Sequence, residues 1–167
     1  MPRGDGRDGP MRTLFLIAAS GVLLAADVAR GAEPQPAAAD AKVIQTCLER
    51  QDDSLGVKCI GIVADPCIAG AKGDTARAKA CAARELAVWE QEMANALKRV
   101  SAGGFRKIGS AVEQAQKDWL ASRRKLCAVF DTIDPGMLPG AANSCRLHET
   151  AARALVLRRL GEAVNEH

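Results

Sequence analysis

The chain has 167 residues, enough for one domain, and a formal net charge of +3, too small to argue for a nucleic-acid partner. Hydrophobic residues make up 48% of it but aromatic ones only 3%, so Ala, Leu, Val and Ile must build the core. A core of such small side chains is thin, which makes the six cysteines important as crosslinks.

Met11-Arg12 leads into an apolar run over residues 14–26, interrupted only by Ser20 and Gly21. The run is too short to span a bilayer but suits the core of an export signal. Ala29 and Gly31 supply the two small residues of a cleavage site, so residues 1–31 are expected to be a signal peptide, with an uncleaved anchor as the alternative. Residues 1–10 are polar and Gly-rich, which leaves Met11 as an alternative start. The first cysteine, Cys47, lies too far beyond the apolar run for lipid attachment. Cleavage leaves a net charge of +2, unevenly spread. Residues 32–97 carry 7 basic and 10 acidic side chains, and residues 98–167 carry 12 and 7. That asymmetry fits either an acidic partner for the second half or a solvated face.

Residues 32–40, with the sequence AEPQPAAAD, read as a linker, and residues 41–167 as the domain. A short helix is expected from about Ala41 to Gln51, through Val43, Ile44, Cys47 and Leu48. Asp52, Asp53 and Ser54 form a turn and an N-cap for a second helix from about Leu55 to Val63, ending at Asp65-Pro66. Asp74 or Thr75 caps a long helix from Ala76 to about Val100, whose stripe is Leu86, Trp89, Met93, Leu97 and Val100. Gly103-Gly104 breaks it. A second long helix follows, with Ser110 and Glu113 spaced as a capping box. Its stripe is Ile108, Val112, Ala115, Trp119, Ser122, Leu126 and Val129, a repeat suited to an antiparallel helix pair. Asp134-Pro135-Gly136 and Pro139-Gly140 mark a loop. A last helix opens at Asn143 or Ser144 and runs to about Val164, with Leu147, Ala151, Ala154, Leu157 and Leu160 inward. No strand pattern is present. The expected fold is all-α, a small disulfide-stabilised bundle of two long antiparallel helices and a C-terminal helix.

All six cysteines, Cys47, Cys59, Cys67, Cys81, Cys127 and Cys145, follow the expected cut, and an even number behind an export signal reads as three disulfides. Six cysteines allow 15 pairings. Cys127 and Cys145 flank the loop and are expected to pair. The same logic of neighbours pairs Cys67 with Cys81 and Cys47 with Cys59. Zinc is disfavoured by the lack of any Cys-x-x-Cys, and no metal or other cofactor is expected.

Residues 116–127, QKDWLASRRKLC, put a Trp, two Arg and a Cys into three helical turns. At about 100° per residue, Trp119 and Cys127 share the buried side with Arg123 at its edge, while Arg124 and Lys125 point elsewhere. The framework reading is that Trp119 packs, Cys127 crosslinks, and Arg123 lays its stem on the Trp with its head on a carboxylate, expected to be Glu85. The functional reading is an anion or partner site made of Arg123, Arg124 and Lys125.

AQKDWLASRRKLC followed by CRLHETAAR resembles the lysozyme inhibitor LprI-like family of exported helical domains. Its pattern is met by Ala115, Gln116, Trp119, Arg123 and Cys127, then Cys145, Thr150 and Arg153. Upstream, CAARELAVWE resembles that family's first motif through Cys81, Glu85 and Trp89, with Glu90 where Asp is usual. The resemblance covers about residues 67–160. Arg124 replaces a usual Asp, Ser122 a common aromatic, Ala94 a usual Asn, and Pro139-Gly140-Ala141 a usual Gly-Ser. The resemblance implies a periplasmic or secreted binding module and names lysozyme, or another envelope protein, as the partner to test.

A lysozyme cleft holds two carboxylates, and the candidates to plug it are Arg146 and His148 beside the loop, within residues 137–148. The alternative is an envelope protein whose basic half meets an anionic glycan, lipid or acidic protein through Arg124, Lys125, Arg158 and Arg159. An enzyme is not expected. The only histidines are His148 and His167, and paired cysteines leave no thiol for a catalytic set.

Overall fold

The computed structural model describes residues 37–50, 56–102, 106–133, 137–138 and 140–165. The expected signal peptide, linker residues 32–36, the turn at residues 52–54, Gly103-Gly104, residues 134–136, Pro139 and His167 lie outside the described residues. The described elements are helical: α1 (Ala38–Glu49), α2 (Ala64–Ala69), α3 (Thr75–Ala102), α4 (Arg106–Ala128) and α5 (Ala141–Asn165), with 3-10 turns at Val57–Cys59 and Val129–Thr132. The domain is all-α and carries three disulfides, Cys47–Cys59, Cys67–Cys81 and Cys127–Cys145.

Helix α3 is the centre of the bundle. Asp74 caps its start, accepting the Arg77 N–H at 3.0 Å. Its main partner is α5, not α4. Asn143 Nδ2 donates to the Lys79 carbonyl at one end, 3.1 Å, and Asn165 Nδ2 to the Arg99 carbonyl at the other, 3.5 Å, so α3 and α5 run parallel. Helix α4 runs antiparallel to both. Its Gln116 meets Met93, its Arg123 meets Glu90 further back along α3, and its Cys127 is bridged to the start of α5. Small side chains let α3 and α5 approach. Ala96, Ala151 and Ala154 are buried beside Val88, Trp89, Met93, Leu147, Leu155 and Leu157, and Ile44 and Leu48 of α1 complete the core. Gly140, at φ 75°, lets the chain pass against Ala78 before α5 begins, where a Cβ would lie 3.3 Å from backbone.

Several elements differ from the sequence expectation. Helix α1 starts at Ala38, so residues 38–40 are helix rather than linker. The cause is Asp40, an acid in the first turn that is buried and bonded to Arg84, with Arg84 NH2 to Oδ1 at 2.7 Å. In place of the α-helix expected from about Leu55 to Val63, residues 56–63 form turns around the 3-10 turn Val57–Cys59, and Asp65-Pro66 opens α2 instead of ending a helix. Pro lacks only an N–H that the first helical turn leaves unpaired. Ser110 and Glu113 form no capping box. Ser110 Oγ donates to the Lys107 carbonyl, and Glu113 accepts from Ser101 of α3 at 3.0 Å. Helix α5 begins two residues before Asn143.

The phase of α4 is also corrected. Gln116 and Cys127 are buried and Trp119 and Arg123 half-buried, whereas Ala115, Ser122, Leu126 and Val129 are exposed. The inward line is Val112, Gln116, Trp119, Arg123, Cys127. Polar side chains displaced apolar ones because the α4 seam is held by hydrogen bonds, as follows.

Candidate functional site

The motif residues build two polar clusters. The first centres on Glu85 of α3, which is fully buried. Its carboxylate accepts the Gly61 N–H at 2.7 Å, the Val63 N–H at 2.8 Å, the Ala64 N–H at 2.7 Å and the indole N–H of Trp89 at 2.9 Å. Val63 and Ala64 open α2, whose start has no side-chain cap of its own. Glu85 therefore caps α2 from a neighbouring helix, where the negative charge also suits the positive end of the helix dipole. Gly61 reaches the carboxylate with φ 89°, a conformation that side-chain-bearing residues rarely adopt. The Cys67–Cys81 bridge ties α2 to α3 one turn away. The expected Glu85–Arg123 pair does not form. Glu85 faces the α2 side of α3, and its acceptor capacity is filled there.

The second cluster joins α4 to α5. Arg123 lies over the Trp119 ring, 5.2 Å from its centroid, and Arg153 of α5 approaches the same ring at 5.9 Å. The Arg123 head meets Glu90 of α3 at 3.4 Å and donates to the Thr150 hydroxyl. The Thr150 hydroxyl in turn donates to the Arg146 carbonyl at 2.6 Å. Arg153 Nε donates to Gln116 Oε1 at 2.9 Å, and Gln116 Nε2 donates to the Met93 sulfur at 3.2 Å. Burial pulls the Arg153 guanidinium below its ordinary pKa. Gln116, Trp119, Arg123, Thr150 and Arg153 thus form one connected seam with Glu90 and Met93. The Arg123 head rests on Glu90 in place of the expected Glu85.

The surface candidates separate into two levels. Arg124 and Lys125 are exposed on the last turn of α4, beside Cys127. His148 is exposed on the first turns of α5. Arg146 is engaged, with NH1 on Asn143 Oδ1 at 2.7 Å and NH2 on Asp131 at 3.4 Å. Arg158 is bonded to Glu162 at 3.1 Å and Arg159 is exposed. Arg158 lies eight residues beyond Thr150, about 12 Å along α5, so the structure does not bring Arg158 and Arg159 to Arg124 and Lys125. Four apolar side chains close in sequence to Cys127, or between it and Cys145, are exposed: Leu126, Val129, Met137 and Leu138, with Met137 74% exposed. Sequence reasoning assigned Leu126 and Val129 to the core. Their exposure could have been found from the polar residues Gln116 and Arg123, whose spacing with Trp119 and Cys127 defines the inward line.

Among the described residues, no three His, Cys, Asp or Glu side chains are grouped to hold a metal ion, and no helix is long and apolar enough to cross a membrane. Together these features define an all-helical domain clamped by disulfides and by two buried polar clusters. The chain belongs to the lysozyme inhibitor LprI family, whose model matches residues 67–157. No curated protein and no solved structure matches it. The match takes in Glu85, Trp89, the second cluster and the Cys127–Cys145 clamp, but it begins at Cys67 within α2, after the Gly61, Val63 and Ala64 amides that Glu85 accepts.

Proposed function

We propose that the mature chain is an exported, non-enzymatic module that inhibits lysozyme with the clamped end of α4 and α5. The reading includes removal of residues 1–31 and a periplasmic or secreted location, in keeping with three disulfides, which persist in oxidising compartments. The observation that carries it is the exposure of four apolar side chains, Leu126, Val129, Met137 and Leu138, at the end of α4 and in the segment that the Cys127–Cys145 bridge closes. A rigid base lowers the ordering cost of inserting such side chains into a cleft. Arg124, Lys125 and His148 flank that end and suit a cleft lined by carboxylates. Arg146, already held by Asn143 and Asp131, serves as a brace for this end rather than as the plug.

Lysozymes are typically basic, and the second half of this chain is basic too. Encounter is then unaided by steering, and apolar contact must supply the affinity. The test is a lysozyme assay with the exported, oxidised protein. Inhibition should occur, and Met137→Asp with Leu138→Asp should weaken it at least roughly tenfold without lowering the melting point. A well-folded protein that leaves lysozyme fully active would refute this reading. The alternative, capture of an anionic glycan, lipid or acidic protein by Arg124, Lys125, Arg158 and Arg159, predicts loss on charge reversal at Arg159 as well.

A further inference from the structure

Helix α1 has two apolar faces. Ile44 and Leu48 turn into the core. On another face lies a groove of about 580 Å³. Ala39, Val43 and Cys47 form one ridge of it at four-residue steps. Lys42, Thr46 and Arg50 form the ridge beside it, and Ile62 is a further wall. Val43 is 44% exposed and Ile62 38% exposed. The groove is built from residues before Cys67, so it lies outside the span that the family model matches.

Small-molecule sites are mostly apolar with a few polar groups, and this groove, though open to solvent, shares that make-up and falls within their usual volume. Among the described residues of its lining, the polar groups are two cations and one hydroxyl. Thr46 and Arg50 sit one helical turn apart on the same ridge, so a hydroxyl and a guanidinium fork can meet one carboxylate. From Ala39 to Arg50 the helix rises about 16 Å, room for an extended acyl chain. A bilayer surface would instead call for protruding apolar side chains. We infer that this groove binds a fatty acid, with its chain along Ala39, Val43 and Ile62 and its carboxylate on Thr46 and Arg50. The Lys42 stem closes the edge of the groove, and its ammonium adds to the positive field there. The site shares no residue with the surface proposed for lysozyme, so either assignment can fail alone.

The test is calorimetric titration of dodecanoate, below its micellar concentration, into the exported, oxidised protein. Saturation at one site is expected, with dodecanol binding roughly tenfold more weakly. Arg50→Gln should weaken dodecanoate by roughly the same factor and leave dodecanol unchanged. Val43→Asp, at an exposed position, should weaken both ligands at an unchanged melting point. A parallel arm uses vesicles of an anionic phospholipid. Unsaturable uptake, or undiminished binding by a folded Val43→Asp protein, would overturn the proposal. So would vesicle capture by a protein that does not bind dodecanoate.

Discussion

The two polar clusters use the same ingredients, a Trp and a charged residue about one turn away, and reach opposite designs. Around Trp89 the charge is Glu85, wholly buried and met by four donors, three of them backbone amides. Around Trp119 the charges are Arg123 and Arg153, half-buried and met by side chains. A buried carboxylate is tolerated only where fixed donors replace its water. Backbone amides at the start of a helix are such donors, and they make Glu85 a fastener between α2 and α3. The guanidinium groups keep part of their hydration and share an aromatic face, so the loss of any one partner should cost the α4 seam less.

That contrast predicts an order of effects. Glu85→Ala should be the most damaging single change, costing about 4 kcal/mol, because it strands three backbone donors and an indole N–H in the interior. Thermal unfolding should show it, together with faster proteolysis in the segment before α3. A loss no larger than that of Arg123→Ala would erase the distinction between the two clusters. Next comes the clamp. Replacing Cys127 and Cys145 by Ser opens a loop with a sequence separation of 18 and should cost about 3 kcal/mol in the chain-entropy model. Unreduced peptide mapping of the native protein should find that bridge intact.

Smaller effects sharpen the second cluster. Arg123→Ala removes a partly desolvated cation–π contact, an ion pair with Glu90 and a hydrogen bond to Thr150, and should cost about 2 kcal/mol. Glu90→Ala should cost less, since its side chain is 36% exposed and the pair is only partly shielded. A double-mutant cycle between Arg123 and Glu90 measures their coupling directly. Coupling of Arg123 with Glu85 should be close to zero, because Glu85 faces α2.

Much of this was legible from residue order, and the misses have a common cause. Helical periodicity located α3, α4 and α5, and cysteine neighbours indicated the three bridges, because both signals are local. The long-range polar bonds were not local. Nothing near Glu85 in sequence says that its carboxylate will cap a helix that begins at Ala64. The same holds for Asp40, which looked like linker until Arg84 engaged it. In α4 the apolar count favoured Ala115, Leu126 and Val129 as inward, yet Gln116 and Arg123 occupy that line since their partners lie on α3 and α5. Leu126 and Val129 were thereby turned outward, and the surface proposed for lysozyme was hidden as a core stripe.

The smallest expected change in stability bears most on function. Arg124 and Lys125 are exposed beside Cys127. Arg124→Glu with Lys125→Glu should therefore shift stability by no more than about 0.5 kcal/mol per site. Their effect on lysozyme depends on how binding is divided between charge and apolar contact. If the exposed apolar side chains carry the affinity, charge reversal should accelerate encounter with a basic enzyme, through attraction in place of repulsion, and that gain should fade with added salt. If instead these cations meet the cleft carboxylates, reversal should raise the dissociation rate and weaken inhibition at every salt concentration. Surface-captured lysozyme, measured at two ionic strengths, separates the two outcomes. Faster association with unchanged dissociation assigns affinity to Met137, Leu138, Leu126 and Val129, and faster dissociation assigns it to Arg124 and Lys125.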